Sequence, residues 1–145
     1  MVLALWVLTG CTTLQTLSGT GIVKVLPHLL DEKGQHTNGP TLLHRDSYQA
    51  ELGENLHRVR GWRADVNWFG KGEVTLRLEL RSAKPDAQPI TVERTVGSGI
   101  GRGHWSSIEI DSETYREFGR PEAWRVSLWR GKEMLDKEES FLPIQ

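Results

Sequence analysis

Between Arg60 and the C-terminus, apolar and polar side chains alternate along much of the chain with a period of two. This period is typical of β-strands that bury one face, because successive side chains of a strand point to opposite sides of a sheet. The clearest run extends from Val74 to Leu80, and similar runs extend from Trp62 to Trp68 and from Ala123 to Trp129. We therefore predict a strand at each of these three runs.

Four further segments have strand character and are separated by turns that contain Gly or Pro. They are Ile22 to Leu30, Ile90 to Val96, His104 to Ile110 and Glu133 to Phe141. Pro27 has no N–H for a sheet ladder, so the first of them is predicted to be an edge strand or a bulged one. About seven strands at regular spacing predict an all-β fold, a single antiparallel β-sandwich of immunoglobulin-like or fibronectin-like type.

One or two short helical turns are expected between the strands. Asp46 and Gln49 have the spacing of a capping box, with Asp46 as the cap. The apolar side chains around them recur at every fourth position: Tyr48, Leu52 and Leu56. Gly53 interrupts this helical pattern, which predicts a short helix or a single turn. A second turn is predicted to begin at Asp111 or Ser112, with Tyr115 and Phe118 on its apolar face.

Composition limits the possible partners of the protein and the interactions that can stabilise its fold. The chain of 145 residues has 18 Lys and Arg against 19 Asp and Glu, a formal net charge of -1, so we expect no nucleic-acid partner. The only cysteine is Cys11, which excludes a disulfide within the chain and a zinc site built on several cysteines. Six tryptophans provide large apolar side chains for the core.

The N-terminal segment has the character of a secretion signal. Val2 to Leu8 is apolar and much shorter than the roughly 20 residues that a helix needs to span a bilayer. Leu8-Thr9-Gly10-Cys11 resembles the lipobox of bacterial lipoproteins. The resemblance implies that residues 1–10 are a signal peptide, that Cys11 carries the lipid and that 11–21 is a lipidated tether. The strand pattern predicts that 22–145 is the β-sandwich domain.

The same resemblance implies a location. Thr12 follows the cysteine, where Asp would favour retention at the inner membrane of a Gram-negative bacterium. The expected location is therefore the cell envelope, at the periplasmic side of the outer membrane if the source is Gram-negative. The expected partners are the membrane, through the N-terminal lipid, and an envelope protein.

The histidines raise the question of a metal site. His28, His36, His44 and His57 are separated by eight, eight and thirteen residues, and this spacing matches no standard ligand motif. We expect them to be surface histidines. The alternative is a metal-binding or small-ligand-binding lipoprotein that uses this histidine-containing half of the chain.

Other polar clusters do not have the pattern of an active site. The glycines between Gly97 and Gly103 precede a strand and lack the helix that a phosphate-binding loop requires, so we expect a hairpin loop there. The acidic pairs Asp31-Glu32 and Glu138-Glu139 are expected to be solvated charges, because neighbours on a strand point to opposite faces. No nucleophile elbow occurs in the sequence. We therefore expect no enzyme and no cofactor.

Outward-pointing aromatic residues are the remaining route to a binding surface. The alternation that buries Leu128 points Trp129 outward, and the same argument applies to Phe69 beside Trp68. The sequence thus predicts a lipid-anchored bacterial cell-envelope protein with a non-catalytic β-sandwich that serves as an interaction or structural module.

Overall fold

The strands pair in two antiparallel sheets. A computed structural model describes residues 19–97, 103–140 and 142. Within these residues the strands are β1 (Gly21–Leu30), β2 (Gly61–Phe69), β3 (Glu73–Ser82), β4 (Ile90–Gly97), β5 (His104–Ile110), β6 (Pro121–Arg130) and β7 (Glu133–Glu139). The helices are α1 (Leu42–Glu54), a 3-10 turn (Leu56–Arg58) and α2 (Ser112–Phe118). One sheet has the order β1-β2-β5 and the other β4-β3-β6-β7. The predicted all-β antiparallel sandwich is confirmed.

The core lies between the two sheets and is built from the period-two runs. The inward side chains of β2 and β3 are almost all inaccessible to solvent: Trp62, Ala64, Val66, Trp68, Val74, Leu76, Leu78 and Leu80. Full burial of one large apolar side chain contributes about 1.5–3 kcal/mol. Trp68 also satisfies its polar atom, because Nε1 donates to Ser106 Oγ at 3.0 Å on the neighbouring strand β5.

Strand β1 is both an edge strand and a bulged one, as Pro27 predicted. It pairs with β2 alone in its sheet, and its register shifts between Ile22 and Lys24. The N–H of Ile22 donates to Asp136 Oδ2 at 2.8 Å, which links this edge to β7 of the other sheet.

The start and the length of helix α1 differ from the prediction. Thr41, not Asp46, is the N-cap, and its Oγ1 accepts from the N–H of His44 at 3.3 Å. Gly53 does not interrupt the helix, which continues to Glu54. Gln49 is also not part of a capping box, because its side chain binds the backbone of β1. The predicted box depended on Gln49 bonding back to Asp46, and Gln49 instead makes tertiary contacts with Leu29 and His36.

The second helix follows its prediction. Asp111 is the N-cap, with Oδ1 accepting from the N–H of Thr114 at 2.8 Å, and Tyr115 and Phe118 are buried. The helix ends at Gly119, whose φ of 85° is in the region that favours glycine.

Several predicted segments lie partly or wholly outside the described residues. They are the signal peptide with Cys11, most of the tether, residues 98–102 of the glycine-rich loop, and Phe141. Among the helices that the structure describes, none has the length and apolar character needed to cross a bilayer.

Candidate functional site

The candidate site lies on the outer face of the three-stranded sheet. Strand register places His28, Arg63 and Glu109 in one row across β1, β2 and β5, and Asp65 and Ser107 in the next row. Directly paired residues of antiparallel strands point to the same side of the sheet. These polar side chains therefore share the face opposite to the core.

The loop between β1 and α1 covers one part of this face. His36 in this loop packs on His28, with ring centroids 4.8 Å apart and an angle of 44° between the planes. Gln49 of α1 positions the loop by donating from Nε2 to Leu29 O at 2.9 Å and to His36 O at 2.8 Å. As a result, His28 is only 5% exposed although it faces away from the core.

A second network fixes the start of the loop. Asp31 is buried, and its Oδ1 accepts from the backbone N–H groups of Lys33 at 2.8 Å and Gln35 at 2.9 Å. Its Oδ2 accepts from the hydroxyl of Tyr48 on α1 at 2.5 Å. Burial alone would raise the pKa of Asp31, but the bonds from Tyr48 and the two N–H groups outweigh it and lower that pKa. The expectation that Asp31 is a solvated charge is therefore wrong.

Asp65 is the centre of the site. Its Oδ1 accepts from Ser107 Oγ at 2.6 Å, and its Oδ2 lies 2.9 Å from Arg63 Nη2 and 3.2 Å from His28 Nε2. Burial opposes ionisation of this carboxyl, but the hydrogen bonds from His28, Ser107 and Arg63 hold its pKa well below the usual range. Asp65 is thus a carboxylate at neutral pH.

His36 contacts Arg63, which also binds Asp65. Arg63 Nη2 donates to His36 Nδ1 at 2.9 Å, which requires an unprotonated Nδ1 because a guanidinium has no acceptor. Burial and the positive charge of Arg63 lower the pKa of His36. The ring is therefore neutral at pH 7 and presents a lone pair toward Arg63.

Three potential ligand atoms converge here. One atom each from His28, His36 and Asp65 lies within 4.8 Å of the other two. His28 Nδ1 and Arg63 Nε are buried and have no hydrogen-bond partner among the described residues. The atoms border a cleft of about 330 Å³ whose other walls are Leu26, Arg45 and Trp105.

The four histidines of the predicted metal-binding alternative lie in different environments. His28 and His36 are brought together, and the expectation of a surface position is wrong for the buried His28. His44 is exposed at the start of α1, where a ring nitrogen lies 2.7 Å from Thr41 Oγ1. His57 is exposed in the 3-10 turn. Sequence reasoning missed Asp65, although its outward position on a clearly predicted strand was a usable signal.

Of the two aromatic residues predicted to point outward, Trp129 is less exposed than expected and Phe69 is exposed. Trp129 is half-buried, because the guanidinium of Arg77 lies over its ring at 4.1 Å from the centroid and Nε1 donates to Ser127 Oγ at 2.8 Å. Phe69 is 39% exposed. Trp105, at the mouth of the cleft, is 57% exposed.

A larger cleft of about 840 Å³ lies between the 3-10 turn and α2. Two of its cations bind main-chain oxygens: Lys84 Nζ donates to Arg116 O at 3.3 Å and Glu117 O at 3.1 Å, and Arg60 Nη1 donates to His57 O. Both cations therefore cap main-chain oxygens of the neighbouring helical turns.

Comparison with known proteins supports the fold alone. No family model matches the sequence, and no curated protein matches it. A crystal structure from Akkermansia muciniphila is similar in fold, with a TM-score of 0.52 and 10% sequence identity over 86% of this chain and 70% of that chain. At this identity the likeness shows the β-sandwich fold alone.

Proposed function

We propose that the protein is a lipid-anchored component of the bacterial cell envelope, with a non-catalytic β-sandwich that binds or supports other envelope components. The observation that carries this proposal is the lipobox-like segment Leu8-Thr9-Gly10-Cys11 ahead of a folded domain. The lipid holds the protein at the periplasmic side of the outer membrane in a Gram-negative cell.

The start of the fold supports a short tether. Thr12 to Thr20 separate Cys11 from β1, and nine extended residues reach about 30 Å at most. Thr20 lies at the end of the sandwich that carries the β2–β3 turn, where Arg130 Nη2 donates to Thr20 Oγ1 at 3.3 Å and to Lys71 O at 2.9 Å. This end of the sandwich would therefore face the membrane.

The electrostatics of the cleft support a binding role rather than catalysis. A general base works best with a pKa near the operating pH. The pKa of Asp65 is held far below that range, and its oxygens accept from Ser107 and Arg63. This carboxylate is therefore a weak base and a good partner for a cation.

Exposed apolar side chains on helix α1 and at the mouth of the cleft support contact with a protein partner. Leu42 and Leu43 at the start of α1 are 69% and 75% exposed, and Trp105 is 57% exposed. Adjacent exposed leucines and a tryptophan are typical of docking surfaces more than of an isolated monomer surface.

The anchor is tested by expressing the chain in a Gram-negative bacterium behind a short basic leader, because signal peptides carry positive charge before the apolar region. The wild type should gain the mass of a diacylglycerol and a further acyl chain and should partition into detergent. Cys11→Ser should remain unmodified and water-soluble. Intact mass spectrometry and phase separation measure both properties.

A displaced thiol is the matched control. Cys11→Ser combined with Thr13→Cys keeps one thiol near the same place but destroys the lipobox spacing, so it should also stay unmodified. Acylation of this double variant would mean nonspecific reaction of an exposed thiol. An unmodified wild type would overturn the proposal.

A further inference from the structure

We propose that His28, His36 and Asp65 form a binding site for a divalent transition-metal ion of the zinc class, and that Arg63 occupies this site when the metal is absent. The inference goes beyond the lipid anchor and does not depend on it. It rests on the ligand spacing, on an unsatisfied histidine and on the position of one arginine.

The spacing of the ligand atoms fits one metal ion. Two ligands bound to tetrahedral zinc at about 2.1 Å lie about 3.4 Å from each other. His28 Nε2 and Asp65 Oδ2 are 3.2 Å apart, and all three ligand atoms lie within 4.8 Å of one another. The third ligand, His36, belongs to the covering loop rather than to a strand. Movement of this loop by at most about 1.4 Å would bring His36 to the spacing of a zinc ligand.

The chemistry of the ligands selects the class of ion. Neutral imidazole and carboxylate are the ligands of zinc sites that keep an open position, whereas magnesium and calcium prefer oxygen alone. Ser107 Oγ holds the far oxygen of Asp65 at 2.6 Å, as partners of metal-bound carboxylates do. The cleft of about 330 Å³ leaves room for a fourth ligand from solvent or from a bound molecule.

His28 is an independent indication that the site is incomplete. It is 5% exposed, and its Nδ1 has no hydrogen-bond partner among the described residues. Buried polar atoms are nearly always satisfied, and an exception calls for an ion, a water molecule or a functional role. The buried ring of His28 is therefore more typical of a functional side chain than of a purely structural one.

Arg63 occupies the position of the cation. Its Nη2 lies 2.9 Å from Asp65 Oδ2 and 2.9 Å from His36 Nδ1, so one positively charged group bridges two of the three ligands. Metal binding must therefore displace the guanidinium. Arg63 Nε is buried without a partner, which shows that the arginine is itself incompletely satisfied at this position.

A second carboxylate lies within reach of the displaced arginine. Glu109 is the direct cross-strand neighbour of Arg63 on β5 and makes no ion pair with any residue in the described part of the chain. Side chains of such a pair start only about 5 Å apart. We therefore expect Arg63 to exchange Asp65 for Glu109 when the metal enters. Arg45 at the cleft already pairs with Asp46 at 2.7 Å, so its charge is compensated.

The test is isothermal titration of the full chain with zinc chloride. The chain carries Cys11→Ser, because a free thiol also binds zinc, and an affinity tag without histidine. We expect one site per chain and a higher melting temperature with zinc. His36→Ala should weaken binding at least about tenfold, since even the loss of a partner that orients a ligand costs about 10–100-fold. Its melting in EDTA verifies that it folds.

Two further variants separate a specific site from adventitious binding. His57→Ala removes an exposed histidine that does not belong to the cluster or line its cleft, and it should leave the affinity unchanged. Arg63→Gln removes the competing charge and should tighten binding several-fold, a result that a merely structural arginine would not give. Absence of saturable binding, or equal loss in His36→Ala and His57→Ala, would overturn the site. Unchanged affinity in Arg63→Gln would overturn the arginine exchange.

Discussion

The buried hydrogen bond between Tyr48 and Asp31 joins helix α1 to the end of β1, and Tyr48→Phe tests its energetic value. Tyr48 Oη donates to Asp31 Oδ2 at 2.5 Å, and the two side chains are 6% and 4% exposed. Phenylalanine keeps the ring and its packing but removes the hydroxyl. The variant therefore leaves a buried carboxylate with one donor fewer.

The expected loss follows from the charge of the acceptor. Hydrogen bonds to charged groups contribute about 1.5–3 kcal/mol, so Tyr48→Phe should lower the free energy of unfolding by about 2 kcal/mol at pH 7. Burial opposes ionisation of Asp31, but the Tyr48 bond together with the N–H groups of Gln35 and Lys33 outweighs it, so the pKa of Asp31 is lowered in the folded state. Such a group stabilises the fold above its unfolded pKa, and this stability is lost as the pH falls through the folded value. The difference between wild type and variant should therefore shrink below about pH 4.

Urea unfolding followed by tryptophan fluorescence measures this difference on the Cys11→Ser chain at pH 7 and pH 3.5. Tyr115→Phe is the matched control, because Tyr115 is 9% exposed and its hydroxyl has no hydrogen bond among the described residues. We expect this control to change stability by less than about 0.5 kcal/mol. Equal effects of the two substitutions would refute the reasoning, as would a Tyr48→Phe effect that does not depend on pH.

Three further predictions concern the helix cap, alkaline pH and sorting. Thr41→Ala should destabilise the protein by about 1 kcal/mol in thermal melts, while Asp46→Ala should have almost no effect, because Thr41 is the cap. The hydrogen bond to Asp31, together with burial, raises the pKa of Tyr48 to about 12. The free energy of unfolding should therefore fall as the pH rises from about 10 through 12, and Tyr48→Phe should lack this fall. Thr12→Asp should move the lipidated protein from outer-membrane to inner-membrane fractions of a sucrose gradient; an unchanged distribution contradicts the sorting expectation.

The strands were predictable because their signal is local. In β2 and β3 every second side chain is apolar, and the same side chains are buried between the sheets. The alternation shows which face of a strand is buried, and it does so without knowledge of which sheet the strand packs against. Pro27 was equally informative, because a missing N–H restricts a residue to an edge or a bulge in any sheet.

The site was not predictable because it depends on register and on a covering loop. His28 and Asp65 are separated by 37 positions and meet only because β1 and β2 pair in a particular register. The pattern correctly placed Asp65 on the outer face, and an outer face is normally solvated. The loop that carries His36 has no periodicity, so nothing in the sequence indicated that this face would be covered. The same argument explains Asp31, which the fold of that loop buries.

Gln49 links the docking of helix α1 to the position of His36, one of the three proposed ligands. Its side chain accepts from the N–H of Leu29 at 2.8 Å and donates to the carbonyl oxygens of Leu29 and His36. His28 and Asp65 are held by the strand register, but the position of His36 depends on the docking of α1 through this amide. Weaker docking of α1 would therefore remove one of three ligands while the sheet stays paired. For this reason, changes in α1 that do not border the cleft should alter zinc affinity and stability together.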